Sequence, residues 1–326
     1  MVAQDTVLVQ LVKLVDRIPA PAPPPRGRGH PRVYSDQLFL KALVIMIVRR
    51  LAHVHELLAV LAEPTPEMQT LRALLAEQGR FPCRRTVERR LATLPATLPA
   101  QIGCLGRYLV RALDLWQASA RAAAIDSTAL RAKGGVWHKK DREAGLVPHT
   151  SIDTEAGWTK SGWHGWVYGW KLHVVCAVGA AWLPLAADLT PAPAADTTVA
   201  PALIRELPLE LRFLLGDQHY GAADLADRCA LRDCRLIVPT GGPYPHTDAG
   251  VEVRRLLHKT RSVTIENFNE QFKGIFDTHQ AVPTRGLVAT RRFALGAIFV
   301  YQLTVLHRSL QGTDPRVGLK AFLRAA

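Results

Sequence analysis

Three carboxylates are the residues of this chain best placed to act together: Asp126 after Ala-Ala-Ala-Ile, Asp217 after Phe-Leu-Leu-Gly, and Glu266 after Val-Thr-Ile. Each stands at the edge of an apolar segment, where a side chain can be held rigidly and aimed into a cleft. Carboxylates are hard oxygen ligands for cations of the magnesium type. Two ions bridged by them can polarise both the attacking and the leaving oxygen of a phosphodiester. Each acid alone has a plainer reading, since an Asp at a strand end commonly begins a turn and a helix-surface Glu is normally just solvated. Asp217 gains weight from Gly216, which permits close backbone approach, and from the habit of carboxylates at the carboxyl ends of α/β strands to face a ligand crevice.

The elements that must position these acids fall into two textures. From residue 6 to about 116 the pattern is helical throughout. A first amphipathic stretch at 6–18 is followed by a connector at about 19–34, rich in Pro and Arg. Ser35-Asp36 then opens a long helix to residue 50, a second runs over 53–62, and Pro64-Thr65-Pro66-Glu67 opens a third to residue 79. After Ser119 apolar strands are expected at 122–125, 170–178, 181–189, 211–216 and 235–238, with helices at 198–207 and 222–231. Strands cluster first and alternate with helices later, which predicts a central mixed sheet flanked by helices. Helix resumes at 263, and 289–310 closes the fold. The expected organisation is a helical region at 1–118, an α/β domain at 119–312 and a tail at 313–326.

The chain has 326 residues and is 48% hydrophobic, enough for a substantial core and against a disordered polymer. Lys and Arg number 41 against 28 Asp and Glu, a formal charge of +13, which favours a polyanionic partner and nucleic acid first. Five cysteines without a C-x-x-C pair indicate neither a disulfide framework nor a zinc ribbon, and fit a reducing cytoplasm. No secretory leader is legible. The most apolar runs, 42–48 and 295–306, are shorter than the ~20 residues a membrane span needs, so no membrane partner is expected.

Four strings occur together in order: Ile125-Asp126-Ser127-Thr128, Tyr168-Gly169-Trp170-Lys171-Leu172-His173, Gly216-Asp217-Gln218-His219-Tyr220, and Ile265-Glu266-x-Phe268 followed by Lys273. In this the chain resembles the DDE transposases of bacterial insertion sequences over roughly residues 80–310. The resemblance implies an RNase-H-like α/β catalytic domain behind a helical DNA-binding region. It also implies cut-and-paste transposition on two Mg2+ ions, with Mn2+ as substitute, held by Asp126, Asp217 and Glu266. Lys273, seven residues after Glu266, would contact phosphate near the cut. The 48 residues between the second and third acids suggest the compact form of the family. Apo carboxylates packed together are expected to have raised pKa values. Partners implied are double-stranded DNA, both terminal inverted repeats and target, and a second copy of the chain on DNA.

The likeness has a gap. Many members carry Tyr and Arg seven and four residues before the final Glu, where this chain has Lys259 and Ser262. Arg261, displaced by one, is the substitute phosphate contact or else a solvated surface residue. Arg84, Arg85, Arg89 and Arg90 cannot all face a core, so at least two should reach solvent or phosphate, as on a recognition helix. Between Asp126 and the second strand, Trp137, Trp158, Trp163 and Trp166 interleave with Lys133, Lys139, Lys140, Arg142 and Lys160. That mixture suits stacking on distorted or single-stranded DNA, or pinning a loop to the sheet. His219 reads as a turn residue or a proton-transfer aid, and Asp196 as the cap of the helix at 198. A structure-specific nuclease or resolvase on the same fold, and an inactive transposase-derived DNA-binding protein, stand as alternatives.

Overall fold

In the computed structural model the described residues are 5–22, 33–116, 121–162, 165–179, 181–239, 248–315 and 317–326, without the side chains of 248 and 249. Most of the Pro/Arg-rich connector (23–32) and Trp163 therefore lie outside the described residues.

The helical first third is built by local signals. The Thr6 hydroxyl accepts from the Val9 amide to start α1 (Val7–Leu14), and Ser35 does the same for Leu38 at the head of α2 (Asp36–Val48). Ten of the thirteen α2 residues are buried, so it is a core helix with no polar face. Then come α3 (Val54–Leu61), α4 (Pro66–Leu74), α5 (Arg84–Thr93) and α6 (Leu98–Ala112).

The sheet comprises β1 (Ala122–Arg131), β2 (Gly157–Ser161), β3 (Gly165–Ala177), β4 (Pro184–Pro191), β5 (Phe213–Leu215) and β6 (Arg235–Ile237), with the short α7 (Lys139–Glu143) between β1 and β2. Strand order is β2-β3-β1-β5-β6, with β4 also on β3. β3 is antiparallel to β1, β2 and β4, whereas β5 and β6 run parallel to β1. This is the RNase-H-like mixed sheet expected from the sequence. Close strand contact at its centre depends on Gly169, where a Cβ would lie 2.0 Å from the Leu130 carbonyl oxygen.

Helices α8 (Asp196–Glu206) and α9 (Ala223–Ala230) connect β4 to β5 and β5 to β6. The 29-residue α10 (Asp248–Phe276) packs on β1 and β3, starting well before the residue 263 expected from sequence. α11 (Leu287–Leu310) contacts α1, α2, α5, α6 and β4, joining the helical region and the sheet in one core. It is the one described helix long and apolar enough to cross a membrane, longer than the run at 295–306, yet 78% of its most apolar window is buried. The tail at 313–326 contains α12 (Leu319–Arg324), which packs against α10.

Candidate active site

Strand register alone brings Asp126 and Asp217 together. Ala122, Ala123 and Ala124 of β1 stand opposite Phe213, Leu214 and Leu215 of the parallel β5. Two residues beyond the last pair on each strand are Asp126 and Asp217, so both acids reach the same height on neighbours spaced about 4.8 Å. Gly216 makes the turn possible, since a Cβ there would meet Tyr220 Cβ at 2.9 Å. Asp217 then caps the 218–220 turn: its Oδ1 accepts from the His219 amide at 2.8 Å and its Oδ2 lies 3.0 Å from His219 Nδ1. That hydrogen bond and the Asp217 charge raise the His219 pKa. His219 is thus both a turn residue and a direct partner of the carboxylate.

Asp126 accepts from the Ser127 amide at 2.7 Å through Oδ1 and from Arg261 Nη1 at 3.1 Å through Oδ2. Its pKa is raised to about 6, first by desolvation, with the charge of Asp217 adding to it and Arg261 and the Ser127 amide opposing it. Sequence reasoning anticipated the elevation but attributed it to carboxylate repulsion, which here is the lesser cause. Arg261 itself is only 7% exposed, so its alternative reading as a solvated surface residue fails.

Glu266 lies five residues further along α10, about 7.5 Å up the helix and about 140° around it from Arg261. The inward stripe is Arg261, Ile265, Phe268 and Phe272, all buried, whereas Glu266 is exposed. Among the described residues no three His, Cys, Asp or Glu side chains gather closely enough to enclose an ion. The structure thus brings two of the predicted acids together and leaves the third on the outer side of the helix that touches them. Lys273 shares the Glu266 side of α10 and is half-buried, and desolvation lowers its pKa.

Pleating sends Ser127 to the opposite sheet face from Asp126, toward α8. There Asp196 sits within the first turn of α8, with Ala195 as the cap residue, so Asp196 is not the cap expected. It is held instead by Lys171 Nζ at 3.4 Å and His173 Nδ1 at 3.2 Å. Lys171 also donates to the Ala194 carbonyl at 2.9 Å, and His173 Nε2 lies 2.9 Å from Thr190 Oγ1. Against its desolvation, hydrogen bonds from His173 and Ser127 and the charge of Lys171 bring Asp196 down to about 2. The buried Tyr220 phenol beside this cluster is pushed up by desolvation and by the charges of Asp196, Asp126 and Asp217. Sequence reasoning marked Lys171 and His173 only as part of a motif string. Their single legible signal is spacing: two polar residues at i and i+2 inside an apolar strand must share one face.

On α5, Val87 and Leu91 point inward while Arg84, Arg85 and Arg89 are exposed. Arg84 pairs with Glu88 at 2.7 Å. Arg90 is engaged with Asp36 and lies over the Phe39 ring, 4.8 Å from its centroid. It is the arginine of the four most committed to packing.

No curated protein matches the chain significantly. Among solved structures, the synaptic complex of piggyBac transposase with hairpin DNA aligns over 98% of this chain and 75% of that one, at 10% identity and a TM-score of 0.39. The family model described as "Transposase DDE domain" matches residues 117–303, which span the whole sheet, both central aspartates and Glu266. By that match, over more than half its length, the chain belongs to the transposase DDE domain family.

Proposed function

We propose that the protein cleaves DNA at the ends of an insertion sequence and joins those ends to target DNA by cut-and-paste, using divalent metal ions, Mg2+ or Mn2+. The observation that supports this reading is the parallel β1–β5 register, with Asp126 and Asp217 each two residues past the last pair on adjacent strands. The donor set fits such an ion in part. Asp126 and Asp217 would supply two hard-oxygen ligands, the desolvated Asp126 gaining most from a cation, while Glu266 would have to swing inward to serve as the third. When bound, the ions would activate the attacking oxygen and stabilise the departing one.

The chain's own residues then divide the work. Asp126 and Asp217 hold the ions, and the Ser127 and His219 amides fix the carboxylate rotamers. Arg261 exchanges its Asp126 contact for a substrate phosphate, and Lys273 meets phosphate from the same helix. The helical region, 1–118, reads the terminal repeats through the exposed Arg84, Arg85 and Arg89, with Arg90 bracing α5. Catalysis belongs to 119–312, and two copies act together on DNA in the cytoplasm, at the nucleoid. A plasmid carrying the element ends, incubated with the protein and Mg2+, should yield cut and strand-joined product, with both absent for Asp126→Asn and Glu266→Gln. Cutting without joining would identify a nuclease instead. Cutting by Glu266→Gln at the wild-type rate would remove Glu266 from the site.

A further inference from the structure

The excursion between β1 and β3 carries three described tryptophans with different duties. Trp137 donates its indole N–H to the Leu146 carbonyl at 2.7 Å, and Trp158 donates to the Trp137 carbonyl at 2.9 Å. Those two pin the excursion, as the packing reading held. Trp166, at the start of β3, does neither: it is 64% exposed and meets Trp158 edge-on with ring centroids 6.4 Å apart. The His138 ring centroid lies 6.5 Å from that of Trp158. Around these rings is an open hollow of about 780 Å³, lined by His138, Lys139, Arg142, Glu143, Trp158 and Trp166. Its size falls within the ~300–1,000 Å³ typical of ligand sites.

We propose that this hollow takes an unpaired base of single-stranded DNA, stacked on Trp166 and Trp158, with the adjoining phosphate met by Arg142. The inference rests on DNA being the substrate. Charge complementarity selects this occupant. Lys139 and Arg142 line the hollow and Lys140 is exposed beside it; of the two acids there, Glu143 pairs with Lys139 at 3.6 Å, which leaves Lys140 and Arg142 against Asp141, a surplus of one cation. Arg142 is exposed and lines the hollow, with its guanidinium over the Trp137 ring, 5.8 Å from the centroid. Base–aromatic stacking is indifferent to sequence, which suits a strand freed during end processing. Trp166 precedes Val174, the β3 partner of Asp126, by eight residues, or about 26 Å of strand. The bound base therefore lies about 26 Å along the strand from the carboxylates, well away from the scissile phosphate.

The test is fluorescence anisotropy of the full chain in EDTA with a labelled thymidine 15-mer and, separately, a 15-base-pair duplex. Trp166→Leu should weaken single-strand binding roughly 5- to 100-fold, with duplex binding within about twofold, and Trp166→Phe should retain most of the affinity. Arg142→Gln should lower the salt slope for the single strand by about 0.7. Equal single-strand affinity in Trp166→Leu overturns the proposal, as does a duplex-only wild type. Loss of self-association in that variant, without loss of single-strand binding, would assign the hollow to a protein partner. A wild type that binds neither DNA would instead overturn the functional reading on which the proposal stands.

Discussion

Ionising Asp126 carries a cost that can be measured without any assay of activity. Its folded pKa of about 6 stands above the ordinary 3.8, a difference worth about 3 kcal/mol at ~1.36 kcal/mol per unit. Its side chain is 23% exposed, so solvent screening removes only part of that. The folded protein holds the Asp126 proton more tightly than the unfolded chain. This group's contribution is therefore full below about pH 4 and is lost as pH rises through 6. Asp126→Asn keeps an oxygen for Arg261 and removes the charge, so it should be more stable than wild type by up to about 3 kcal/mol at pH 8 and by up to about 1 kcal/mol at pH 4.5. With an unfolding entropy of ~2.1 cal/mol/K per residue, the gain at pH 8 is a rise in Tm of about 4 °C. Calorimetry at the two pH values reads it directly. Adding Mn2+ at pH 8 should raise the wild-type Tm and leave that of Asp126→Asn unmoved. A variant equally stable at both pH values, or less stable than wild type at pH 8, would refute the picture of a desolvated carboxylate held against its own charge.

The remaining expectations address the partners of the two aspartates and the arginine face. Arg261→Gln removes the buried cation from Asp126 and should destabilise by about 2–4 kcal/mol at pH 8, less at pH 5, seen as a shift in urea midpoint. Asp196, lowered to about 2, contributes stability that is present above the ordinary 3.8 and lost as pH falls through 2. Asp196→Asn should therefore cost about 2 kcal/mol at pH 7 by the same melt. Replacing both Arg85 and Arg89 with Ala should weaken duplex binding uniformly across sequences and cut the slope of log K against log salt by about 2, with Tm unchanged.

Asp126 and Asp217 are legible in the sequence because apolar runs announce β1 and β5, and parallel pairing of two such strands brings the residues just past their ends to one level. The α/β texture after residue 119 and the helical texture before it emerge from periodicity alone. β2 is not legible, since Gly-Trp-Thr-Lys-Ser has no apolar alternation and pairs only because β3 extends back to Gly165. The Arg261–Asp126 contact spans 135 positions and depends on how α10 rolls on the sheet, a tertiary quantity that no local pattern encodes. The same roll sets Glu266 outward, although its string places it in the motif. Asp196 reads as a cap because the residue before a helix usually is one, and only the fold reveals Lys171 and His173 waiting opposite.

Deep in the molecule, the Gln302 amide of α11 donates to the carbonyls of Ile102 on α6 and Pro184 on β4, at 3.0 and 2.8 Å. A polar cross-tie inside so apolar a helix locks the axial position of three elements at once. In the proposed reading, α6, which follows the arginine-bearing α5 in the chain, is thereby fixed against the sheet that carries the aspartates. Where the protein grips a duplex would dictate, to the base pair, where it cuts.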